Sequence, residues 1–346
     1  MIQARVIKPH DIEFFEVPAP EAKDLKDNEI LLRIHKIGVC GSDIHVMHGQ
    51  HPFVTYPVIQ GHEYGAEVVA VGKGVTAVRP GDKATARPQL VCGECGPCRN
   101  GRPNVCEKLR VQGFQAPGCA QPYFVVPEDR IIRCAPHLSY EQIAIMEPCA
   151  VGIHASGRTD VKGKNVIVTG AGTIGNLVAQ AVKGRGAKKV LITDVSDLRL
   201  EKARECGLEN TANTAKESFE DAVKRVFGDE GFQCAFEVSG VQKCITDLVA
   251  NIEKGSDIVI VAVFSKNPEV NLAVLDEHEI RLIGSMMYLH EDYLLADGML
   301  ADGRLNVDPL VTQRFGFKEY NEAYDCIDNH REECMKVMID LEAVSY

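Results

Sequence analysis

The chain has no run approaching the ~18 consecutive apolar residues that a membrane-spanning helix needs. Its first residues, MIQARVIKPHDIEFF, carry neither a basic start followed by an apolar stretch nor a small-residue cleavage site. A cytoplasmic protein with no membrane partner is the expectation. Positive charge is also in short supply. The net charge is −11, and an acidic surface repels phosphate backbones and anionic lipid, so nucleic acid is excluded as the main partner and a small-molecule substrate is expected. There is no internal repeat and no low-complexity segment. An even cysteine framework is missing too: the cysteines number 13, four of them fall between Cys92 and Cys106, and the rest are scattered. That distribution is unlike a secreted disulfide scaffold and points to thiolate or metal chemistry.

What is present is an ordinary soluble composition, 45% hydrophobic and 25% charged, in 346 residues, enough for two domains of usual size. Residues 1–135 read as short strands (EILLRIHKIGV, AEVVAVGKGV, YFVVPEDRII) broken by proline and glycine, a β-rich first domain. From about residue 163 apolar strands alternate with helical patterns: NVIVTG, NLVAQAVKGRG, KVLITD, RLEKARECG, CAFEVSG, DIVIVAVF, EIRLIGS. That alternation predicts an α/β fold with a parallel sheet. DIVIVAVF is expected at a sheet edge, where it would form an oligomer contact. After Gly284, helical stretches lead to a last apolar strand, CMKVMIDL, which the pattern leaves free to join either domain.

Cys92-x-x-Cys95-x-x-Cys98 followed by Cys106 places four thiolates in one loop, the number a closed tetrahedral zinc site requires. Gly93, Gly96, Pro97 and Gly101 let the backbone turn so that the sulfurs converge. Four sulfurs leave no open position, so this metal would be structural. The alternatives are free buried thiols, or a nucleic-acid zinc ribbon, which expects separated cysteine pairs and a basic surface. Two further fragments carry donors: GVCGSDIHVMHG, with Cys40, Ser42, Asp43 and His45, and GHEYGAEV, with His62 and Glu63. Cysteine, histidine and a carboxylate together suit a catalytic zinc that keeps one position open. Singly, Cys40 reads equally as a small buried hydrophobe and His62 as a hydrogen-bonded core histidine. IMEPCAVGIHAS adds Glu147, Cys149 and His154 at the junction of the two domains, where substrate sites are favoured. Glu147 alone reads equally as a helix cap or a lysine partner.

GAGTIG, with Gly170, Gly172, Thr173, Ile174 and Gly175, follows NVIVT and opens a helical run, matching the dinucleotide fingerprint. The next strand ends in Asp194, nineteen residues after Gly175, where a carboxylate would bond the ribose hydroxyls and repel a 2′-phosphate. NAD is therefore expected over NADP. Arg199 nearby argues the other way, and a turn cap is the other reading of Asp194.

These motifs, in the order Cys40-Gly-Ser42-Asp43-Ile-His45, Gly61-His62-Glu63, the four cysteines, then GAGTIG, make the chain resemble the zinc-dependent medium-chain dehydrogenases. MEPCAVGIHAS and PLVTQRF are similar to the sorbitol, butanediol, threonine and galactitol-phosphate dehydrogenase branch. The resemblance implies a GroES-like β-rich catalytic domain (1–150 and 290–346) and a doubly wound, parallel-sheet Rossmann NAD-binding domain (151–289). It also implies a homodimer or homotetramer, with one catalytic and one structural zinc per subunit. Cys40 and His62 would be catalytic zinc ligands, with Glu63 and Glu147 competing for the remaining protein position. Ser42 and His45 would pass a proton outward, and Asp43 would orient His62. The implied activity is NAD-linked oxidation of a secondary alcohol in a polyol, sugar acid or vicinal diol. Rivals are a threonine-dehydrogenase-type oxidation of a β-hydroxy amino acid and a non-catalytic NAD(H)-binding zinc protein. Val46 and Met287 stand where sorbitol dehydrogenase has a substrate-contacting tyrosine and arginine, which argues against sorbitol itself. Ala66, preceded by Gly65, departs from the usual glycine, a change expected only to shift local packing. Phe53, Met286, Met287 and Tyr288 are candidates to line the pocket, the Met-Met-Tyr run reading equally as core on a strand.

Overall fold

The computed structural model describes residues 1–342. Its elements begin with β1 (Ile2–Lys8), β2 (Asp11–Glu16), β3 (Glu29–Val39), α1 (Gly41–Met47), β4 (Glu63–Val71), β5 (Lys83–Ala86), β6 (Gln89–Leu90), α2 (Gly96–Arg99), β7 (Arg110–Val111), β8 (Tyr123–Pro127), β9 (Ile131–Arg133), α3 (Tyr140–Ala144) and α4 (Met146–Ser156). A regular alternation follows: β10 (Asn165–Thr169), α5 (Thr173–Gly184), β11 (Lys189–Asp194), α6 (Asp197–Glu205), β12 (Asn210–Asn213), α7 (Phe219–Phe227), β13 (Cys234–Glu237), α8 (Gln242–Asn251), β14 (Asp257–Ile260), α9 (Leu272–Glu277) and β15 (Arg281–Gly284). Then come α10 (His290–Ala301), β16 (Val311–Gly316), α11 (Tyr320–Asn329) and β17 (Lys336–Asp340). They form two units: Met1–Glu147 with Leu289–Ala301 and the chain from Val311 on, and Pro148–Tyr288 with Asp302–Leu310.

In the first unit a sheet runs β16-β17-β3-β4-β5-β9, with β8 also paired to β3. Strand β3 is its centre, antiparallel to β17, β4 and β8. Ile30, Leu32, Ile34 and Ile37 of β3 bury against Tyr64 and Val68 of β4 and against Val337 and Ile339 of β17. The last strand therefore joins this unit, with Val337 opposite Val39, next to Cys40. Gly65 has a role of its own: a Cβ there would lie 2.1 Å from Tyr140 O, so the glycine lets the start of α3 sit on β4.

The second unit holds six parallel strands in the order β12-β11-β10-β13-β14-β15. Renumbered from β10 this is the doubly wound Rossmann order, whose ligand crevice opens beyond the carboxyl ends of β10 and β13. Val166 and Val168 of β10 pack with Val178 and Val182 of α5, while Ile167 faces the other way onto Phe219 and Ala222 of α7 and Leu248 of α8. Helices on both faces explain why β10 is buried throughout and apolar from Val166 to Val168.

Three expectations are corrected. The tail does not stay whole with the first unit. Asp302–Leu310 belongs to the second, because Asn306 N donates to Gln180 Oε1 at 2.7 Å, Gln180 Nε2 donates back to Asn306 O at 3.1 Å and Asn306 Nδ2 reaches Glu205 O at 3.3 Å. DIVIVAVF is not at the sheet edge; its strand β14 lies between β13 and β15, and β15 is the edge. The Met-Met-Tyr run lies past the end of β15 rather than on a strand, with Met287 in the left-handed region (φ 48°) and Tyr288 fully buried. Among the described residues, no helix is long and apolar enough to cross a membrane.

Candidate active site

Strand β3 ends at Val39 and α1 begins at Gly41, so Cys40 is where the chain turns. An Asp43 carboxylate oxygen accepts the Cys40 amide at 3.0 Å, satisfying a donor that a helix start leaves open. The other Asp43 oxygen lies 3.6 Å from His62 Nδ1. Both residues are buried, and neither of these two atoms makes a hydrogen bond elsewhere. With Nδ1 facing a carboxylate, Nε2 is the ring nitrogen left for a metal. Burial works against charge on the ring, but Asp43, with Cys40, outweighs it and raises His62 well above the ordinary histidine range.

Glu63 follows His62 into β4 and sits opposite Gly38. A Cβ on residue 38 would lie 2.2 Å from Glu63 Oε2, so that glycine makes room for the carboxylate. Ligand atoms of Cys40, His62 and Glu63 all lie within 4.8 Å of one another. A thiolate, an imidazole and a carboxylate are a donor set that suits a zinc with an open position. Glu147, near the start of α4 and buried, lies outside this trio. A reciprocal cap fixes the preceding α3: Ser139 Oγ accepts from Gln142 N at 3.2 Å, and Gln142 Oε1 accepts from Ser139 N at 2.9 Å.

Sequence reasoning missed a further member. Lys336, first residue of β17, is 4% exposed, and its Nζ donates to Glu63 Oε1 at 2.9 Å, Glu63 Oε2 at 2.8 Å and Val39 O at 3.0 Å. All three ammonium protons are placed. Burial alone would lower Lys336; the charges of Glu63, Cys40 and Glu147 outweigh it and raise it instead. Glu147 is thus close enough for its charge to act on the same ammonium. The available signal was a lysine inside the apolar stretch CMKVMIDL, since a buried lysine needs an anionic partner. Of the two expected proton carriers, Ser42 is half-buried and His45 exposed, with His45 Nδ1 at 3.3 Å from Gln50 Oε1.

The four-cysteine loop converges as well. Ligand atoms of Cys92, Cys95, Cys98 and Cys106 lie within 4.8 Å of one another, with sulfur separations of 3.5 Å (Cys92–Cys106) and 3.9 Å (Cys95–Cys106). A tetrahedron with ~2.3 Å metal–sulfur bonds has edges of about 3.8 Å, so the loop fits zinc. Amides of Cys92, Cys95 and Lys108 point at sulfurs, at 3.3, 3.4 and 3.4 Å. Gly93 and Gly101 take positive φ (73° and 69°), as the tight turns require. Amides of Cys98 and Glu107 hold the Cys95 thiol down at about 6.

In the second unit Gly172 N-caps α5. A Cβ on residue 175 would lie 1.7 Å from Gly170 O, whereas one on residue 172 would meet nothing within 4 Å. Gly175 is thus needed for helix–strand packing, and Gly172 leaves open the space that a pyrophosphate at a helix N-terminus would fill. Asp194 closes β11: its Oδ2 accepts Ala171 N at 2.7 Å, and its Oδ1 accepts Val195 N at 2.8 Å and Ser196 N at 2.9 Å. Arg199 Nη1 lies 3.6 Å from Asp194 Oδ2. The cap reading of Asp194 is therefore realised. At the end of β13 buried Glu237, also missed, accepts from Ser239 N and Gly240 N at 3.0 and 3.1 Å and shapes the loop facing Gly170.

Residues 26–136 match the alcohol dehydrogenase GroES-like domain family, and residues 173–301 match the zinc-binding dehydrogenase family. The Bacillus subtilis (strain 168) sorbitol dehydrogenase is 30% identical over 337 residues, 95% of this chain and 94% of that one. The chain belongs to the zinc-dependent medium-chain dehydrogenases. This medium-chain dehydrogenase is also 29% identical over 316 residues to the L-threonine 3-dehydrogenase of Rhizobium johnstonii, 90% of each chain. A crystal structure reported as a short chain alcohol dehydrogenase of Escherichia coli CFT073, complexed with NADH, has a TM-score of 0.90 at 26% identity, covering 99% of both chains. Membership makes the protein an NAD(P)-linked zinc alcohol dehydrogenase and sets aside the non-catalytic reading.

Proposed function

We propose that this dehydrogenase uses NAD to oxidise a secondary alcohol of a polyhydroxylated small molecule, namely a polyol, sugar acid or vicinal diol, to the ketone. One zinc would be held by Cys40 and His62 with Glu63 or Glu147, and a second by Cys92, Cys95, Cys98 and Cys106. The convergence of Cys40, His62 and Glu63 carries this reading. Bound there, zinc supplies Lewis acidity that lets an alcohol ionise near neutral pH.

The chain's own residues do the rest. Cys40 and Glu63 bring two negative charges, and Lys336 neutralises that of Glu63, so the ligand set does not cancel a divalent charge. Asp43 holds the His62 ring by its Nδ1 side. Ser42 and His45, three residues apart, share one face of α1. The half-buried Ser42 hydroxyl takes the alcohol proton, and exposed His45 delivers it to solvent.

For the cofactor, NAD is favoured over NADP because a carboxylate at the end of the second strand, as Asp194 is, would repel a 2′-phosphate, and Arg199 lies 3.6 Å from that carboxylate. The substrate class rests on the likeness to sorbitol dehydrogenase. Val46 is fully buried and carries no hydroxyl, which disfavours sorbitol itself. A homodimer or homotetramer through edge strand β15 is supported by the exposure of Leu282 there, and light scattering tests it. Thirteen unbridged cysteines support a reducing, cytoplasmic setting.

The deciding experiment follows NADH formation over a panel of polyols, aldonates, vicinal diols and threonine, with and without a chelator. Chelator-sensitive turnover on one of the first three classes is expected. Zinc-loaded enzyme that turns over threonine alone, or nothing, would overturn the proposal.

A further inference from the structure

A third group of donors lies on the surface of the first unit. His10 occupies the turn between β1 and β2, His48 follows α1 as its C-cap, and Asp328 lies in the last turn of α11. One ligand atom from each lies within 4.8 Å of the other two. His48 Nε2 is 2.9 and 3.0 Å from the two Asp328 oxygens, and the His10 and His48 rings stack with centroids 5.1 Å apart at 27°. The His10 backbone is in the left-handed region (φ 61°), and its amide donates to Met47 O at 2.9 Å, which lays the imidazole over the end of α1.

An ion pair between His48 and Asp328 accounts for two of these residues but gives the third no task. Two imidazoles and one carboxylate are the donors that divalent ions of borderline softness prefer, and they come from three segments far apart in sequence. We propose that His10, His48 and Asp328 form a further metal site for a divalent transition ion such as zinc or nickel, completed by water. This site does not depend on the reading given for Cys40, His62 and Glu63. An ion there ties the β1–β2 turn and α11 to one end of α1, the helix whose other end carries Cys40 and Asp43. Being exposed and three-coordinate from protein, it exchanges metal readily, unlike the four-cysteine loop.

Zinc-loaded enzyme is washed free of loose metal, equilibrated with Zn²⁺ buffered at about micromolar activity, and its metal counted. The wild type is expected to take up one equivalent more than the washed protein. His10→Ala and Asp328→Asn are expected to keep the resident metal and lose that extra equivalent. His330→Ala, in the separate exposed group of His330, Glu332 and Glu333, is expected to keep it. Ni²⁺ added to the same proteins should raise the melting temperature of the wild type and of His330→Ala but not of the other two variants. The proposal is overturned if the wild type takes up no extra metal, if His10→Ala and Asp328→Asn retain it, or if His330→Ala loses it.

Discussion

Lys336 Nζ grips both carboxylate oxygens of Glu63, at 2.9 and 2.8 Å, across 273 residues of sequence. Two desolvated charges are tolerable here because the ammonium's third proton also finds an acceptor, Val39 O. Removing one partner strands the other. Lys336→Met is therefore expected to destabilise the first unit by about 3–5 kcal/mol, measured by urea denaturation. The double variant Lys336→Met/Glu63→Gln should recover a large part of that loss. Equal losses in the single and double variants would show that the two side chains are not energetically coupled.

The four-cysteine loop buries little apolar surface of its own, so a bound metal has to supply its order. Cys98→Ser should lower the zinc content by one equivalent and speed amide exchange across residues 92–106 by about tenfold or more. Exchange in the second unit's strands β10, β13 and β14 should stay as it was. Full zinc content in that variant would remove Cys98 from the ligand set.

The four-cysteine loop and the glycine turn were legible in the sequence for one reason: the members of each sit in one short segment whose spacing encodes the geometry, whereas Cys40 and His62 lie on separate fragments that only the family resemblance joined. Cys92 to Cys106 is one loop, and Gly170 to Gly175 is one turn. Lys336 was not legible, because nothing near it in sequence reveals that β17 pairs with β3 beside Cys40. Glu237 stayed hidden for another reason: its partners Ser239 and Gly240 are close in sequence, but that the loop they form faces Gly170 follows only from the pairing of β13 with β10. The misplacement of DIVIVAVF is instructive. A strand apolar on both faces belongs inside a parallel sheet, and β14 is interior, whereas the edge strand β15 exposes Arg281, Leu282 and Gly284. Asp302–Leu310 changed unit through the paired hydrogen bonds of Gln180 and Asn306, which hydrophobic patterning does not report.

Asp194 serves the turn and, in the proposed function, the cofactor as well. Its carboxylate already receives three backbone amides, so Asp194→Asn removes charge while keeping the side chain's size. A charged hydrogen bond is worth about 1.5–3 kcal/mol, so the KM for NAD should rise about 10–100-fold and the preference for NAD over NADP should narrow. Steady-state kcat/KM for both cofactors measures it. A rise in both KM values with an unchanged ratio would leave Asp194 as a turn cap alone.

Acid stability should depend on the pair formed by Asp257 and Arg281, which face each other at the starts of β14 and β15. Arg281 Nε and Nη2 donate to the two carboxylate oxygens at 2.6 and 2.7 Å, and the Thr159 hydroxyl donates to one of them. Burial alone would raise the Asp257 carboxyl, but these partners outweigh it and hold it below its ordinary value. Because the folded state binds the proton less readily than the unfolded chain, whose aspartates titrate near ~3.9, the contribution is complete above that value. It is lost as pH falls through the lower, folded value. Asp257→Asn should therefore cost about 1–3 kcal/mol at neutral pH, toward the low end because Arg281 is largely exposed. Urea denaturation of wild type and variant from about pH 7 to about pH 3 should show the gap between them closing only below about pH 4. A gap that stays constant over that range would mean that the Asp257 proton plays no part in acid unfolding.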